Sequence, residues 1–452
     1  MSNNPLANES VLDNLKSKFK GNKKEIETNA GSIVVDLVGM NKGIDIVSEA
    51  CACCWDKQIP DDYAGRAEYV AKRTRTGHTS ILEHSNFVMY LRVRGEQYTD
   101  ELISYLDWNR YLHHKAYNNK IGEWCILLGG SYRGFSDIYL NADDLNNAVL
   151  KAVAGCLYTY APSAAFEDIC KLGLMDKSRF IDAEPDDQSF KIMTKFYHDP
   201  EADNELFTVV GMDDIKVLYT NLSNIDAEFA ASLTTADLLE FVTTTVLFKN
   251  MSRTCTHQLV RHRNGVTQES QRYVDYSEAC FSSPALFKPN KYDPNHKYTI
   301  RFGPSAPMNL TLEEIGNAMC QIYGQLSNPV ITGGAYVLQR EDARAYLPGN
   351  VQCRKIYMTF TYRMVFKFMQ LREASGAQAE IKMYAKAFAE WFRSHTDFSS
   401  KKITDTYTLP KLLIEEPIKI DVVEGIEESV VEVTEEDYIK AAGLSEESSG
   451  NS

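Results

Sequence analysis

The chain has 452 residues, 44% of them hydrophobic and 24% charged, with a formal net charge of −14. That is too long for one ordinary domain and fits two or three of about 150 residues each. No run approaches the roughly 20 apolar residues of a membrane helix, and the acidic balance argues against general nucleic-acid binding, which needs a basic surface. The charge is uneven: residues 412–452 hold twelve acidic side chains and two lysines, −10 of the −14. The rest is nearly balanced and can hold a basic pocket.

In chain order, residues 1–31 are polar, lack the apolar stretch of a secretory signal, and are expected to form a flexible arm. Residues 32–38 read as a strand followed by a helix through Cys54. Ile44, Val47 and Ala50 have helical spacing, so Cys51, Cys53 and Cys54 are expected as small buried helix residues. Cys-Ala-Cys-Cys also lacks the paired spacing of a zinc module, and no metal site is expected. The ten cysteines scatter along the chain as reduced thiols of a cytoplasmic protein would. A second helix is expected over 61–76, ending at Gly77, then Gly-His-Thr-Ser-Ile-Leu-Glu-His at 77–84 and a strand at 87–93.

Residues 94–239 differ in character, with tyrosine-rich and acidic stretches and two expected strands at 206–210 and 215–219. Residues 129–134, with glycines at the wrong spacing for a dinucleotide loop, read as a turn. Residues 241–248 alternate threonine with apolar residues, which suits a strand with one buried face. Residues 252–263 read as a helix stopped by Asn264-Gly265. Another helix is expected over 311–326, where Thr311 and Glu314 form a capping box, and a long one over 351–395. No internal repeat at a 20–50-residue period is visible. The Ser/Glu/Gly-rich end, 443–452, reads as disordered.

Polar chemistry concentrates in Ser-Arg-Thr-Cys-Thr-His-Gln-Leu-Val-Arg-His-Arg at 252–263 and Gln-Glu-Ser-Gln-Arg-Tyr at 268–273. On a helix Arg253, His257 and Arg261 fall at i, i+4 and i+8, with Gln258 and His262 on the next column. No acidic residue lies between Arg253 and Gln268. Arginines crowded without counter-charges repel unless an anion lies among them, so the stripe reads as a phosphate site. Arg344, Arg363 and Arg372 form a second set. If 363–372 is one helix, its ends point to opposite faces and Arg363 and Arg372 serve different ligands. No P-loop, zincin pattern or G-x-G-x-x-G occurs. His78 and His84, six apart, are more often structural than catalytic.

These residues resemble the flavin-dependent thymidylate synthases in three blocks, in the family's order. Residues 77–84 resemble its G-H-x-S-x-x-E-H element. Residues 252–273 resemble S-R-x-x-x-H-Q-x-x-R-H-R with its closing S-x-R-Y. Residues 341–381 resemble E-D-A-R-x-x-L-P, the helix ending in Leu371-Arg372, and A-Q-x-E-I. The resemblance covers roughly 32–93 and 240–395.

It implies an α/β fold of the α+β type, an antiparallel or mixed sheet with long helices, in a homotetramer whose active sites are shared between subunits. It implies reductive methylation of dUMP to dTMP, with methylenetetrahydrofolate as carbon donor and FAD, reduced by NADPH, as hydride carrier. Ser80, Arg261, His262, Arg263, Asn264, Arg363 and Lys367 would contact FAD. Gln258, Gln268, Ser270, Arg272 and Arg344 would hold dUMP, with Glu269 and Gln271 lining the same loop. Arg372 would stabilise the ionised uracil ring. Ser270 reads better as a hydrogen-bonding group than as a nucleophile.

The chain departs from the family pattern. Six residues separate Arg263 from Ser270 where seven are usual. Thr361 and Lys367 stand where the family has asparagine, and asparagine or histidine, near the flavin. The expected layout is a catalytic domain of 32–93 and 240–400, interrupted by an insertion over 94–239 of unknown role and followed by an acidic tail over 401–452. The alternatives are a flavin enzyme acting on another pyrimidine nucleotide, or a nucleotide-binding assembly protein on the same scaffold without catalysis.

Overall fold

The computed structural model describes residues 19–20, 23–28, 31–40, 43–93, 96–119, 122–135, 194–197, 202–223, 227–262, 265–278, 293–301, 303–334 and 336–396. The tail over 401–452, and with it the reading of its end as disordered, lies outside the described residues, as do Arg263 and Asn264.

The chain opens with β1 (Phe19–Lys20), β2 (Lys23–Thr28), β3 (Gly31–Met40), α1 (Gly43–Trp55), α2 (Tyr63–Arg75), β4 (Asn86–Val93), α3 (Glu96–Trp108), β5 (Leu112–Asn118) and β6 (Trp124–Ser131). These six strands form one antiparallel sheet in the order β1-β2-β3-β4-β6-β5. Two strands of the expected arm, β1 and β2, therefore extend this sheet. Two more, β5 and β6, come from the stretch expected as an insertion.

A second set follows: β7 (Thr194–Tyr197), β8 (Phe207–Asp213), α4 (Ile215–Ser223), α5 (Ala227–Ser232), α6 (Thr235–Leu238), β9 (Thr243–Ser252), α7 (Arg253–Leu259) and β10 (Gly265–Gln268). After the hairpin of β11 (Tyr298–Ile300) and β12 (Met308–Leu310) come α8 (Leu312–Ser327), α9 (Arg340–Ala343), β13 (Gln352–Thr361), α10 (Tyr362–Arg372) and α11 (Ala379–His395). Five of these strands make the second antiparallel sheet, in the order β10-β13-β9-β8-β7. The fold mixes helices with antiparallel sheets, as the resemblance implies.

Several local expectations hold. The helix expected over 61–76 forms as α2, where Asp62 accepts from the Gly65 N–H at 2.8 Å as its cap. Thr311 and Glu314 form the reciprocal capping box of α8, at 3.1 and 2.7 Å. Cys51 and Cys53 are buried on α1. Burial pushes the Cys51 thiol up to about 12 and Cys53 well above its ordinary value, so these thiols are inert at neutral pH.

Others are corrected. Residues 215–219 lie in a helix: Leu218 and Leu222, four apart, are both buried, which sets a helical period. The single helix expected over 351–395 is strand β13 followed by α10 and α11. Residues 129–134 are the end of β6, and helix begins at Tyr132. The strand expected at 241–248 begins at Thr243 and is buried on both faces over its first half, threonines included.

The main core forms where α10 and α11 close over β9 and β13. Phe248 meets Phe368, Tyr384 and Phe388 with ring centroids 6.1–6.3 Å apart, and Phe360 lies 5.5 Å from Phe368. All are buried, each contributing on the order of 1.5–3 kcal/mol. The helices of each set also reach the other set's sheet. Ile46, Ala50 and Cys53 of α1 pack on Tyr357 of β13, and Phe229 of α5 meets Tyr90 of β4 at 5.2 Å. No helix among the described residues is long and apolar enough to cross a membrane.

Candidate active site

A cleft of about 510 Å³ opens between the turn Thr79–His84, helix α7, the segment following β10, and residues 347–349. Six sequence-predicted residues line it: Ser80, Gln268, Glu269, Ser270, Gln271 and Arg344. Arg253 and His257 join them. Both belong to the cationic stripe, yet the motif comparison gave neither a role, because their assignment depends on which helix face turns inward.

The turn carrying Ser80 is fixed by His84. Its Nδ1 lies 2.9 Å from Thr359 Oγ1 on β13 and its Nε2 2.9 Å from Thr267 Oγ1 on β10. Hydroxyls can donate or accept, so a neutral ring is satisfied at both nitrogens. Burial pushes the His84 pKa down to about 3. The unfolded chain, with an ordinary value of 6.5, therefore binds more protons than the folded one between these limits. Stability is full above pH 6.5 and declines as pH falls, with a slope of about 1.4 kcal/mol per pH unit from this group. Urea unfolding at pH 7.5 and 5.5 checks this, and His84→Gln is expected to flatten the difference.

Glu269 is buried, and its carboxylate accepts from the Arg354 N–H at 2.9 Å and from Arg354 Nε at 2.7 Å. Its part in the cleft is structural: it clamps the 268–271 run to β13. The run is also tied by the Ser270 N–H to the Cys54 carbonyl at 3.2 Å. Arg253 donates through NH2 to the Glu269 carbonyl and, at 3.1 Å, to the Tyr276 hydroxyl. Its Nε, and the Oε1 of Gln268, are buried without a hydrogen-bond partner among the described residues. Each such atom costs about 1–3 kcal/mol unless a ligand supplies the missing partner.

The remaining predicted residues lie elsewhere. The cationic stripe is broken because α7 ends at Leu259 and a tighter turn covers Val260–His262. At about three residues per turn this swings Arg261 off the Arg253–His257 column. Arg261 is exposed beside Arg372 instead, and its charge, after burial, depresses the Arg372 pKa. Arg372 donates through Nε to His262 Nε2 at 3.0 Å and through NH2 to the Gln258 carbonyl at 3.2 Å. Burial first, then Arg372 and Lys367, push His262 down to about 4. The imidazole is thus neutral, and the bond from Arg372 assigns its proton to Nδ1.

Gln258 bonds Gln378 through its amide. These residues form a second cationic group. Arg272 pairs with Glu341 at the surface, with its Nε 2.9 Å away. Thr361 caps α10 by accepting from the Met364 N–H at 3.3 Å, and Arg363 pairs with Glu240 at 3.0 Å. Arg363 and Arg372 thus engage different surroundings, as their helical separation predicts. Among the described residues no group of three metal-binding side chains occurs.

Residues 225–396 match the family model described as thymidylate synthase complementing protein. Three similar relatives are each named flavin-dependent thymidylate synthase. The one from Nitratidesulfovibrio vulgaris is 32% identical over 148 residues, 32% of this chain and 54% of the relative. The one from Pyrococcus abyssi is 30% identical over 187 residues, 41% and 65%. The one from Mycobacterium leprae is 29% identical over 153 residues, 33% and 57%. Over this stretch the chain is therefore similar to the flavin-dependent thymidylate synthases. The matches span between about half and two thirds of those relatives' lengths. Five sequence-predicted cleft residues, Gln268, Glu269, Ser270, Gln271 and Arg344, and all of the second cationic group lie inside the matched segment. Ser80 lies outside it.

Proposed function

We propose that the chain catalyses reductive methylation of dUMP to dTMP, with methylenetetrahydrofolate as carbon donor, FAD as hydride carrier and NADPH as reductant. The observation that carries this reading is the cleft itself, whose wall combines the cationic Arg253 and Arg344 with the polar Gln268 and Ser270. A nucleotide offers phosphate oxygens to the first pair and a hydrogen-bonding base to the second.

FAD fits the same chemistry, since its pyrophosphate needs cations and no phosphate-binding turn occurs in the sequence. Ser80, Arg261, His262, Arg263, Asn264 and Lys367 would hold it, and Arg363 and Thr361 would do so on leaving their present partners. The bound flavin supplies hydride transfer; the protein supplies orientation and electrostatics. Arg372 stays protonated at any working pH and is aimed by neutral His262. In this proposal it balances negative charge developing on the uracil ring, which makes C5 nucleophilic.

Within one chain Ser270 and Arg344 line the cleft, whereas Gln258 and Arg372 surround His262 and are not part of its wall. A homotetramer in which one subunit's cleft meets another's second group would complete the site. Mixing inactive Arg344→Ala with inactive Arg372→Ala protein is then expected to restore activity, up to about a quarter of the wild-type value. No recovery under conditions of subunit exchange would count against shared sites.

Purified protein is expected to be yellow and to form dTMP only with both methylenetetrahydrofolate and a reduced nicotinamide. A colourless protein that binds dUMP but no flavin would sink the enzyme reading. A yellow protein inert on dUMP but active on another pyrimidine nucleotide would move the substrate assignment to that compound.

A further inference from the structure

The two sheets repeat one another. In the first, strands run β2-β3-β4-β6-β5; in the second, β7-β8-β9-β13-β10. Placing β3 on β8, β4 on β9, β6 on β13 and β5 on β10 matches the chain order as well as the spatial order.

The registers agree residue by residue. Asn86 faces Ser131 as Thr243 faces Thr361. The Tyr132 N–H donates to the Ser85 carbonyl at 2.7 Å, and the Tyr362 N–H to the Val242 carbonyl at 3.0 Å. Both first strands bulge at the same place, between Leu37 and Gly39 and between Val209 and Gly211, within Leu-Val-Gly-Met and Val-Val-Gly-Met. Glu83 pairs with Arg133 at 2.6 Å, and at matching positions Glu240 pairs with Arg363 at 3.0 Å. A bulge, an ion pair and a backbone bond repeated in register are not forced by antiparallel pairing alone, which tolerates many registers and loop orders.

We infer that residues 31–135 and 207–372 are two copies of one unit fused in a single chain, and that their interlocking creates one open cleft and one closed counterpart. Each copy places at least one helix on the other's sheet. Helix α1 lies on β10 and β13, where Cys53 Sγ donates to the Lys355 carbonyl at 3.3 Å and the Tyr357 hydroxyl to Glu49 at 2.9 Å. Reciprocally, Phe229 of α5 meets Tyr90 and Tyr117 of β4 and β5 at 5.2 and 6.4 Å.

The open cleft therefore draws Cys54 and Ser80 from the first copy and its cationic wall from the second. The counterpart positions are chemically opposite. Ser80 and Thr267 correspond to Asp237 and Lys115, which pair across the gap at 2.8 Å. Arg253 and His257, the first and fifth residues of α7, correspond to Glu96 and Asp100, the first and fifth of α3. Acidic residues thus stand where the open cleft has Arg253 and His257, and the one lysine at these positions is paired with Asp237. The stretch expected as an insertion holds, in α3, β5 and β6, the end of the first copy and, in β8, the beginning of the second.

The ligand count rests on the proposed nucleotide chemistry; the duplication does not. Equilibrium dialysis of the full chain is expected to give one dUMP per chain. Arg253→Ala should weaken it at least tenfold, while Lys115→Ala leaves both number and affinity unchanged. Two equivalents, or loss of binding in Lys115→Ala, would overturn the closed counterpart.

Native-state hydrogen exchange tests the interlocking without ligand. Phe229→Leu, with Phe229→Ala as the stronger variant, should speed exchange in β4 and β5 at least tenfold more than in β10 and β13. Cys53→Ala should do the reverse. Acceleration confined to strands of the variant's own copy would overturn the exchange of helices. A protein that binds no dUMP would remove the nucleotide reading and leave this pattern to decide for or against the duplication.

Discussion

Arg372→Lys is expected to keep its flavin spectrum and lose turnover by about a hundredfold or more. The guanidinium uses two separate donors, Nε to His262 Nε2 at 3.0 Å and NH2 to the Gln258 carbonyl at 3.2 Å. It thereby spans from the end of α10 to the turn after α7. An ammonium on a flexible stem cannot hold both in one plane. A lysine would also compete with Lys367 for the same surroundings without fixing the imidazole. Loss of one preorganised, correctly oriented donor opposite developing negative charge costs on the order of 10²–10³ in turnover. Single-turnover kinetics separate this from weaker binding, because KM for dUMP should change far less than kcat. A variant that lost FAD while binding dUMP normally would reverse the division of labour between Arg363 and Arg372.

The second large effect is on stability. Glu380 on α11 is buried, and its carboxylate accepts from the Ser252 N–H at 2.7 Å and the Ser252 hydroxyl at 2.5 Å. The Ser252 hydroxyl itself accepts from the Cys255 N–H at 3.0 Å to cap α7. One carboxylate thus supports the end of β9 and, through the serine, the start of the cationic helix. It also places negative charge near a helix N-terminus, the favourable end. Glu380→Ala strands a buried N–H and hydroxyl and is expected to cost about 2–4 kcal/mol. Glu380→Gln, which keeps an acceptor oxygen, should recover roughly half. Denaturant midpoints of the three proteins decide it; equal midpoints would mean that water replaces the carboxylate.

What could be read in advance depended on whether a signal was local. The capping residue Thr311, the buried Cys51 and Cys53 of α1 and the cationic run after Ser252 all announce themselves within a few residues. β13 did not. Its Ile356, Tyr357, Met358, Thr359 and Phe360 are all buried, so both faces are apolar and the alternation that marks a strand is missing. Next to two true helices, it merged with them into one. Residues 215–219 failed the opposite way, because Ile215, Val217 and Tyr219 favour strands locally while the spacing of Leu218 and Leu222 decides for helix. At the site, residue types were legible but grouping was not. A tight turn over Val260–His262 separates Arg261 from Arg253, and its presence depends on tertiary packing.

Joining two interlocked units by one chain changes how their contact responds to dilution. Separate partners holding helices on each other's sheets would come apart as concentration falls, whereas tethered ones face each other at an effective concentration of about millimolar at any dilution. The pairing of α1 with β13 and of α5 with β4 is therefore insured against scarcity. Each unit meets only its own sister, so a substitution on one side need not remain compatible with a copy of itself. Self-complementarity, which binds both faces of a symmetric pair to the same sequence, is lifted. Asp237 opposite Lys115, where the other side has Ser80 and Thr267, is a contact of that kind.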